Sequence, residues 1–212
     1  DLAGKAYGVP VYQMLGGKFR DSIRVYCDTD VDGKHTGHDM GLALKKRMDM
    51  GFTFLKMDLG IGLLLDEPGT LNAPLGLIDN MKTYAPHILN VQGGSVTADM
   101  VRHQKSYQIV NTAHPFTGIH LTKKGLEYLE NYVKEVRDVI GYEVPLAIDH
   151  FGHVCVEDCI RFARRMEPYN LAWIEDMVPW MLTDQYVRLR NSTCIPVCTG
   201  EDIYLKEPFE HL

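Results

Sequence analysis

Three carboxylate residues close three successive apolar segments of the sequence at an even spacing. Asp149 follows Leu-Ala-Ile, Glu175 follows Ala-Trp-Ile, and Glu201 follows Val-Cys-Thr-Gly. The spacing matches one strand–helix unit of a (β/α) barrel, which takes roughly 25 to 30 residues. In such a barrel the three side chains would lie at one rim, where hard oxygen ligands favour Mg²⁺. A single carboxylate at a strand end is commonly an N-cap, but three in register favour a metal site.

Lys56 and Asp58 end the second predicted strand, two residues apart, and therefore share one of its faces. A buried lysine beside a cation can have a lowered pKa and act as a base. Asp58 is the alternative base, or it holds Lys56 in position. A solvated lysine at a strand end is the plainer interpretation of the same pattern.

Two histidines, His150 and His153, stand in the segment directly after Asp149. A histidine beside a metal site can serve as a general acid, although a lone histidine is more often a structural hydrogen-bonding residue. Strand alternation would turn His150 away from the metal if the strand continued, whereas either ring could reach the site if a loop begins there. His114 and His120 are weaker candidates.

Short apolar strands that alternate with helices predict a parallel α/β sheet. Five strands are predicted, at 23–27, 53–57, 144–148, 171–174 and 195–198. Helices are predicted at 36–50, 122–140, around 159–163, at 182–189 and near Pro208. A closed barrel needs eight such units. The pattern therefore predicts an incomplete barrel.

Residues 60–118 interrupt this alternation with an irregular segment that contains several prolines and the pair Gly93-Gly94. A long irregular segment within a compact domain is usually functional or disordered. It leaves from the end of the second strand that bears Lys56, so we expect either a lid over the metal site or a contact between copies. The chain is interpreted as one barrel domain, 1–212, that carries this insertion.

The composition limits the possible partners. The 212 residues carry a net charge of −6, which disfavours nucleic acid. No apolar run approaches the roughly 18 residues of a membrane span, and no secretion signal is visible, so a cytoplasmic protein is expected. The five cysteines, an odd number, favour a reducing compartment and are interpreted as small core residues.

Taken together, these motifs resemble the enolase superfamily, in its mandelate-racemase-like and sugar-acid dehydratase branches. The resemblance rests on the three spaced carboxylates, on the opening segment 1–17 and on Gly200-Glu201-Asp202. It covers residues 1–59 and 119–212. It implies a TIM-type (β/α) barrel in a homo-oligomer. The chain is then expected to be a fragment without the family's smaller capping domain and last barrel strands, and to be inactive alone.

The resemblance also implies the chemistry. Enzymes of this superfamily remove the proton next to a carboxylate, and Mg²⁺ neutralises the charge that develops. The nearest branch implies a hydro-lyase that converts a sugar acid to a 2-keto-3-deoxy acid. A racemase or cycloisomerase of a hydroxy acid or lactone, and a non-catalytic relative that binds an acid sugar, are the alternatives.

Two positions depart from the family pattern. Where the family's Lys-x-Lys stands, this chain has Lys56-Met57-Asp58. Where many of the dehydratases carry an acid histidine two residues after the first metal ligand, this chain has Phe151. His150 or His153 would then have to supply the acid.

Overall fold

The computed structural model describes residues 1–31, 33, 35–79, 118–149, 154–201 and 203–212. Its main sheet has five parallel strands: β1 Cys27–Thr29, β2 Leu55–Asp58, β5 Leu146–Asp149, β6 Leu171–Glu175 and β7 Val197–Cys198. Their spatial order follows their order in the chain. Two further strands, β3 Leu71–Asn72 and β4 His120–Leu121, form a separate antiparallel pair that the sequence did not predict.

The helices are α1 Leu2–Tyr7, α2 Val11–Met14, α3 Gly37–Asp49, α4 Lys123–Ile140, α5 Val156–Met166, α6 Thr183–Arg190 and α7 Lys206–Phe209. Helices α3 to α6 connect successive strands of the main sheet. This arrangement confirms the predicted α/β fold of five strand–helix units of a (β/α) barrel. In the described part of the chain, no helix combines the length and the apolar character needed to cross a membrane.

Helix α4 forms where the apolar periodicity predicted it. The apolar residues of its predicted face are all buried: Leu126, Leu129, Val133, Val136 and Ile140. At its start, the Thr122 hydroxyl oxygen accepts a hydrogen bond from the Gly125 N–H at 3.1 Å. At its end stands Gly141, whose φ of 71° is favourable for glycine. Cap and periodicity therefore agree on the same helix.

Helix α3 packs closely against α4 because it carries glycines on the contact face. A Cβ placed on Gly37 would stand 2.2 Å from the Tyr132 carbonyl oxygen, and one on Gly41 would stand 2.8 Å from Val139 Cβ. The N-terminus of α3 is held by a capping box in which Thr36 and Asp39 exchange hydrogen bonds. Helix α3 also contacts β1 and β2.

The first strand lies later in the chain than predicted. Pairing with β2 begins at Cys27, opposite Leu55, whereas Ile23 and Val25 are 74% and 61% exposed. Alternation in 23–27 indicated a strand, but an extended segment counts as one only where a neighbour completes its hydrogen bonds. Arg24 joins this segment to Thr53 through its side chain instead.

The cysteine interpretation is wrong for most of the five residues. Only Cys159 is buried, whereas Cys194 is exposed and the remaining three are intermediate. Cys155 lies at the N-cap position of α5 rather than in the core. Position relative to the helix end separates two of them: Cys159 lies within α5 and is buried, whereas Cys155 precedes its first turn and is only partly buried.

Part of the insertion is described. Residues Ile61–Leu64 form a 3₁₀ turn, and β3 follows. The larger part, 80–117, lies outside the described residues, and with it lie His114 and most of the predicted lid or contact.

Candidate metal centre

Two of the predicted ligands end neighbouring strands and are buried. Asp149 is the last residue of β5 and is 1% exposed, and Glu175 is the last residue of β6 and is 9% exposed. Together with Asp176 they offer carboxylate oxygens that all lie within 4.8 Å of one another. The C-terminal ends of parallel strands lie at the same edge of a sheet, and the two carboxylates are therefore close together.

Lys56 lies between these carboxylates. Its ammonium donates a short hydrogen bond to Asp149 Oδ2 and lies 3.5 Å from Glu175 Oε2 and 3.9 Å from Asp28 Oδ2. The residue is 5% exposed. A buried ammonium needs opposite charge and hydrogen-bond acceptors around it, and the cluster supplies both. Lys56 is therefore a component of the site rather than a solvated strand-end lysine.

The surroundings of Lys56 act on its pKa in opposite directions. Burial lowers the pKa of the ammonium, whereas the hydrogen bond to Asp149 and the charges of Asp149, Glu175 and Asp28 raise it. The raising effects prevail, so Lys56 holds its proton in this arrangement. A lysine that acts as a base would need part of this negative charge to be neutralised.

Asp176 is a site residue that the sequence analysis missed. Its Oδ1 accepts a hydrogen bond from the Thr199 hydroxyl at 2.8 Å, and its φ of 46° lies in the left-handed region. Burial raises the pKa of its carboxyl, and the charges of Asp149, Glu175 and Glu201 raise it further. The only signal in the sequence was its position directly after Glu175. Strand alternation argued against a shared site, because it places adjacent residues on opposite faces. The left-handed backbone breaks that alternation.

Glu201, the third predicted ligand, has an exposed side chain in the turn after β7 and follows Gly200, whose φ is 130°. Among the described residues, the third carboxylate with an oxygen within 4.8 Å of those of Asp149 and Glu175 belongs to Asp176 and not to Glu201. The charge of Glu201 nevertheless contributes to the raised pKa of Asp176, so it is electrostatically part of the same region. Its role as a ligand stays a prediction.

Aromatic side chains support the carboxylates from one side. Trp173 Nε1 donates to Glu175 Oε2 at 2.8 Å, and its ring lies 5.0 Å from that of Phe54 and 5.7 Å from that of Tyr26. The Lys56 ammonium lies 5.3 Å from the centre of the Tyr26 ring. The indole thus fixes one oxygen of Glu175. Trp173 stands two residues before Glu175, and that spacing could have indicated it.

The structure describes only some of the predicted acid–base residues. Asp58 ends β2, is half-buried and stands opposite Asp149 in the sheet register. His150, Phe151 and His153 lie outside the described residues. Asp28 approaches Lys56 from the middle of β1, and the sequence analysis missed it although it directly follows the first predicted strand.

The donor set fits Mg²⁺. Carboxylate oxygens are the ligands that this hard cation prefers, and Asp149, Glu175 and Asp176 bring them within one coordination sphere. The same negative cluster now holds the Lys56 ammonium, so it is already arranged to bind a cation.

Comparison with known proteins agrees with this architecture. The family model described as "Enolase C-terminal domain-like" matches residues 95–212, more than half of the chain. The solved structure of a mandelate racemase/muconate lactonizing enzyme-like protein from Rubrobacter xylanophilus is similar over 99% of this chain and 45% of its own, with a TM-score of 0.65 and 27% identity.

Two curated relatives carry names of sugar-acid dehydratases. A D-galactonate dehydratase family member RspA from Cellvibrio japonicus is 27% identical over 95% of this chain and 42% of its own length. A D-mannonate dehydratase from Rhizorhabdus wittichii is 25% identical over the same shares. The chain thus spans less than half the length of these relatives.

Proposed function

Because the chain belongs to the enolase C-terminal domain-like family, we propose that it supplies the metal-binding half of a sugar-acid dehydratase. The reaction is removal of the proton next to a carboxylate, followed by loss of water to give a 2-keto-3-deoxy acid. The observation that carries the proposal is the buried Lys56 ammonium held among Asp149 and Glu175 at the strand ends. The dehydratase names of the relatives support the choice of substrate class.

The proposed ligands of Mg²⁺ are Asp149, Glu175 and Glu201. The first two are supported by their burial and convergence. Glu201 is supported by the family pattern and by an exposed side chain that can turn toward the cation. Asp176 is the competing third ligand, because it already completes the group. When bound, Mg²⁺ supplies electrostatic stabilisation of the negative charge that develops on the substrate carboxylate.

The proton leaves the substrate α-carbon to a base on β2. Lys56 is the proposed base, since its ammonium reaches the carboxylate cluster from that strand. Asp58 is the alternative, because it ends the same strand. The negative charge of the surrounding carboxylates keeps Lys56 protonated. To act as a base, Lys56 therefore requires that a cation first neutralise part of that charge.

The second half of the reaction needs an acid. The electron pair left at the α-carbon expels the β-hydroxyl, which takes a proton and departs as water. His150 or His153 is proposed to donate that proton, because both stand within four residues after Asp149. The enol that remains becomes the 2-keto-3-deoxy acid by moving its own hydroxyl proton to carbon.

Product analysis tests the proposal. The full protein is incubated with D-galactonate and D-mannonate, with and without Mg²⁺, and products are read by mass spectrometry. Loss of one water that requires Mg²⁺ supports dehydration. Product of unchanged mass but altered configuration would show an epimerase instead. Binding of the acids without any conversion would show a non-catalytic relative.

A further inference from the structure

A second group of metal-ligating side chains lies outside the carboxylate cluster. His120 comes from β4, and Cys155 and Asp158 come from the start of α5. Their Nδ1, Sγ and Oδ2 atoms form a small triangle: 3.1 Å from His120 to Asp158, 3.3 Å from Cys155 to His120, and 3.4 Å from Cys155 to Asp158. We propose that this group is a binding site for Zn²⁺, distinct from the carboxylate cluster.

The triangle has the dimensions of a tetrahedral zinc site. With usual Zn–N, Zn–O and Zn–S bond lengths, tetrahedral ligands stand about 3.3 Å apart from N to O and about 3.5 Å from S to either. The three measured separations are 3.1, 3.3 and 3.4 Å, so only small movements are needed. The fourth position of the tetrahedron is left to water, since the His120 side chain is half exposed.

The choice of donors favours a borderline-soft ion. Imidazole nitrogen and thiolate sulfur favour Zn²⁺ over Mg²⁺, whereas the carboxylates of Asp149, Glu175 and Asp176 are hard donors that suit Mg²⁺. A thiolate, a carboxylate and a neutral imidazole together carry two negative charges, which Zn²⁺ neutralises. The two sites therefore discriminate between the two ions by ligand chemistry.

The carboxylate of Asp158 is held in position before any ion binds. Its Oδ1 accepts from Arg161 Nη1 at 2.7 Å, and its Oδ2 also accepts from the Leu121 N–H at 3.0 Å. The side chain is 4% exposed. Such partners orient a ligand and lower the cost of ordering it on binding.

Zn²⁺ at this site would join two parts of the chain that lie far apart in sequence. β4 follows the insertion, and α5 follows the segment that begins after Asp149. Ligands from both would fix these two segments against each other. Zn²⁺ would then stabilise the folded protein, because an ion that binds only the native arrangement shifts the unfolding equilibrium.

Cobalt substitution in the full protein tests the proposal, with excess Mg²⁺ present to occupy the carboxylate cluster. Co²⁺ replaces Zn²⁺ and gives a thiolate-to-metal charge-transfer absorption only if sulfur is a ligand. We expect this absorption to appear with Co²⁺ and to disappear when Zn²⁺ is added. Its absence at saturating Co²⁺ would overturn the proposal.

Two variants locate the site. Cys155→Ser removes the sulfur but keeps a residue type that suits the N-cap of α5, so the helix is retained. His120→Gln changes a half-exposed side chain. Each should abolish or strongly reduce the charge-transfer absorption and weaken Zn²⁺ binding more than about tenfold, which is the usual effect of losing even an outer partner.

Cys198→Ala is the matched control, because Cys198 stands opposite Glu175 beside the carboxylate cluster. This variant should keep the absorption and the Zn²⁺-dependent rise in melting temperature, and Cys155→Ser should lose both. Absorption that survives in Cys155→Ser but is lost in Cys198→Ala would contradict the proposal. It would show that soft metals enter the carboxylate cluster instead.

Discussion

Lys56 is held by charge rather than by packing. Its ammonium is buried against Asp149 and Glu175, and each partner would be a costly isolated charge without the others. Replacing Lys56 by Met keeps most of the volume and removes the charge. We therefore expect Lys56→Met to lower the free energy of unfolding by about 3 kcal/mol at neutral pH, measured by urea denaturation. Lys45→Met, at an exposed position on α3, should have little effect.

A cation that replaces the ammonium should reverse this loss. Lys56→Met removes the ammonium that lies among the carboxylates, so Mg²⁺ can occupy the cluster without competition from Nζ. We expect tighter Mg²⁺ binding in this variant than in the parent, by isothermal titration calorimetry, and a recovery of stability as Mg²⁺ is added. Equal Mg²⁺ affinity in the two proteins would show that the cation binds away from Lys56.

The third Mg²⁺ ligand can be identified by two matched variants. Glu201→Gln and Asp176→Asn each remove one charge, and both carboxylates act on the same region. We expect Glu201→Gln to weaken Mg²⁺ binding at least as strongly as Asp176→Asn. A loss confined to Asp176→Asn would assign the position to the residue that already completes the group.

At the scale of elements, the contact of α3 with α4 depends on the absence of two methyl groups. Gly37→Ala would bring a Cβ to 2.2 Å from the Tyr132 carbonyl oxygen, and Gly41→Ala would bring one to 2.8 Å from Val139 Cβ. We expect either change to lower the free energy of unfolding by roughly 1 to 3 kcal/mol, as overpacking usually does. Gly62→Ala, which meets no atom within 4 Å, is the control.

The capping box of α3 makes its stability depend on pH. Hydrogen bonds from the Thr36 backbone and side chain lower the pKa of Asp39 below its ordinary value of 3.8. Because the folded pKa is the lower one, the stabilisation is complete above the ordinary value and is lost as pH falls through the folded pKa. The difference in unfolding free energy between the parent and Asp39→Asn should therefore shrink toward acid pH. A constant difference would contradict this role.

The sequence predicted those elements whose signals are local. Helix α4, the earlier helix α3 and the three later helices α5 to α7 follow from periodicity and capping, and so do the strands that carry Asp149 and Glu175. The position of β1 depended on where a neighbouring strand pairs, and β3 with β4 depends on residues far apart in the chain. The left-handed backbone that directs Asp176 into the site has no signal in the sequence pattern.

At the scale of the whole molecule, the sheet has β1 and β7 at its two edges within the described part of the chain. Tyr26, directly before β1, is 48% exposed, and its ring lies 5.7 Å from that of Trp173. Unpaired strand edges favour association with other chains. We expect the 212-residue polypeptide alone to self-associate in analytical ultracentrifugation and to convert no sugar acid. Turnover by a well-behaved monomer would contradict this expectation.

We propose that, in the full protein, Lys56 removes the substrate α-proton beside a Mg²⁺ held by Asp149 and Glu175. Exchange of the substrate α-proton with deuterium from D₂O is measured in the full protein by mass spectrometry of the recovered substrate, and the product is read only for loss of water. We expect deuterium incorporation that requires Mg²⁺ and is lost in Lys56→Ala. Variants of His150 and His153 should lose dehydration but keep slow exchange, since proton removal precedes the loss of water. Exchange that persists in Lys56→Ala would rule out Lys56 as the base, and exchange that occurs equally without Mg²⁺ would rule out the role of the cation.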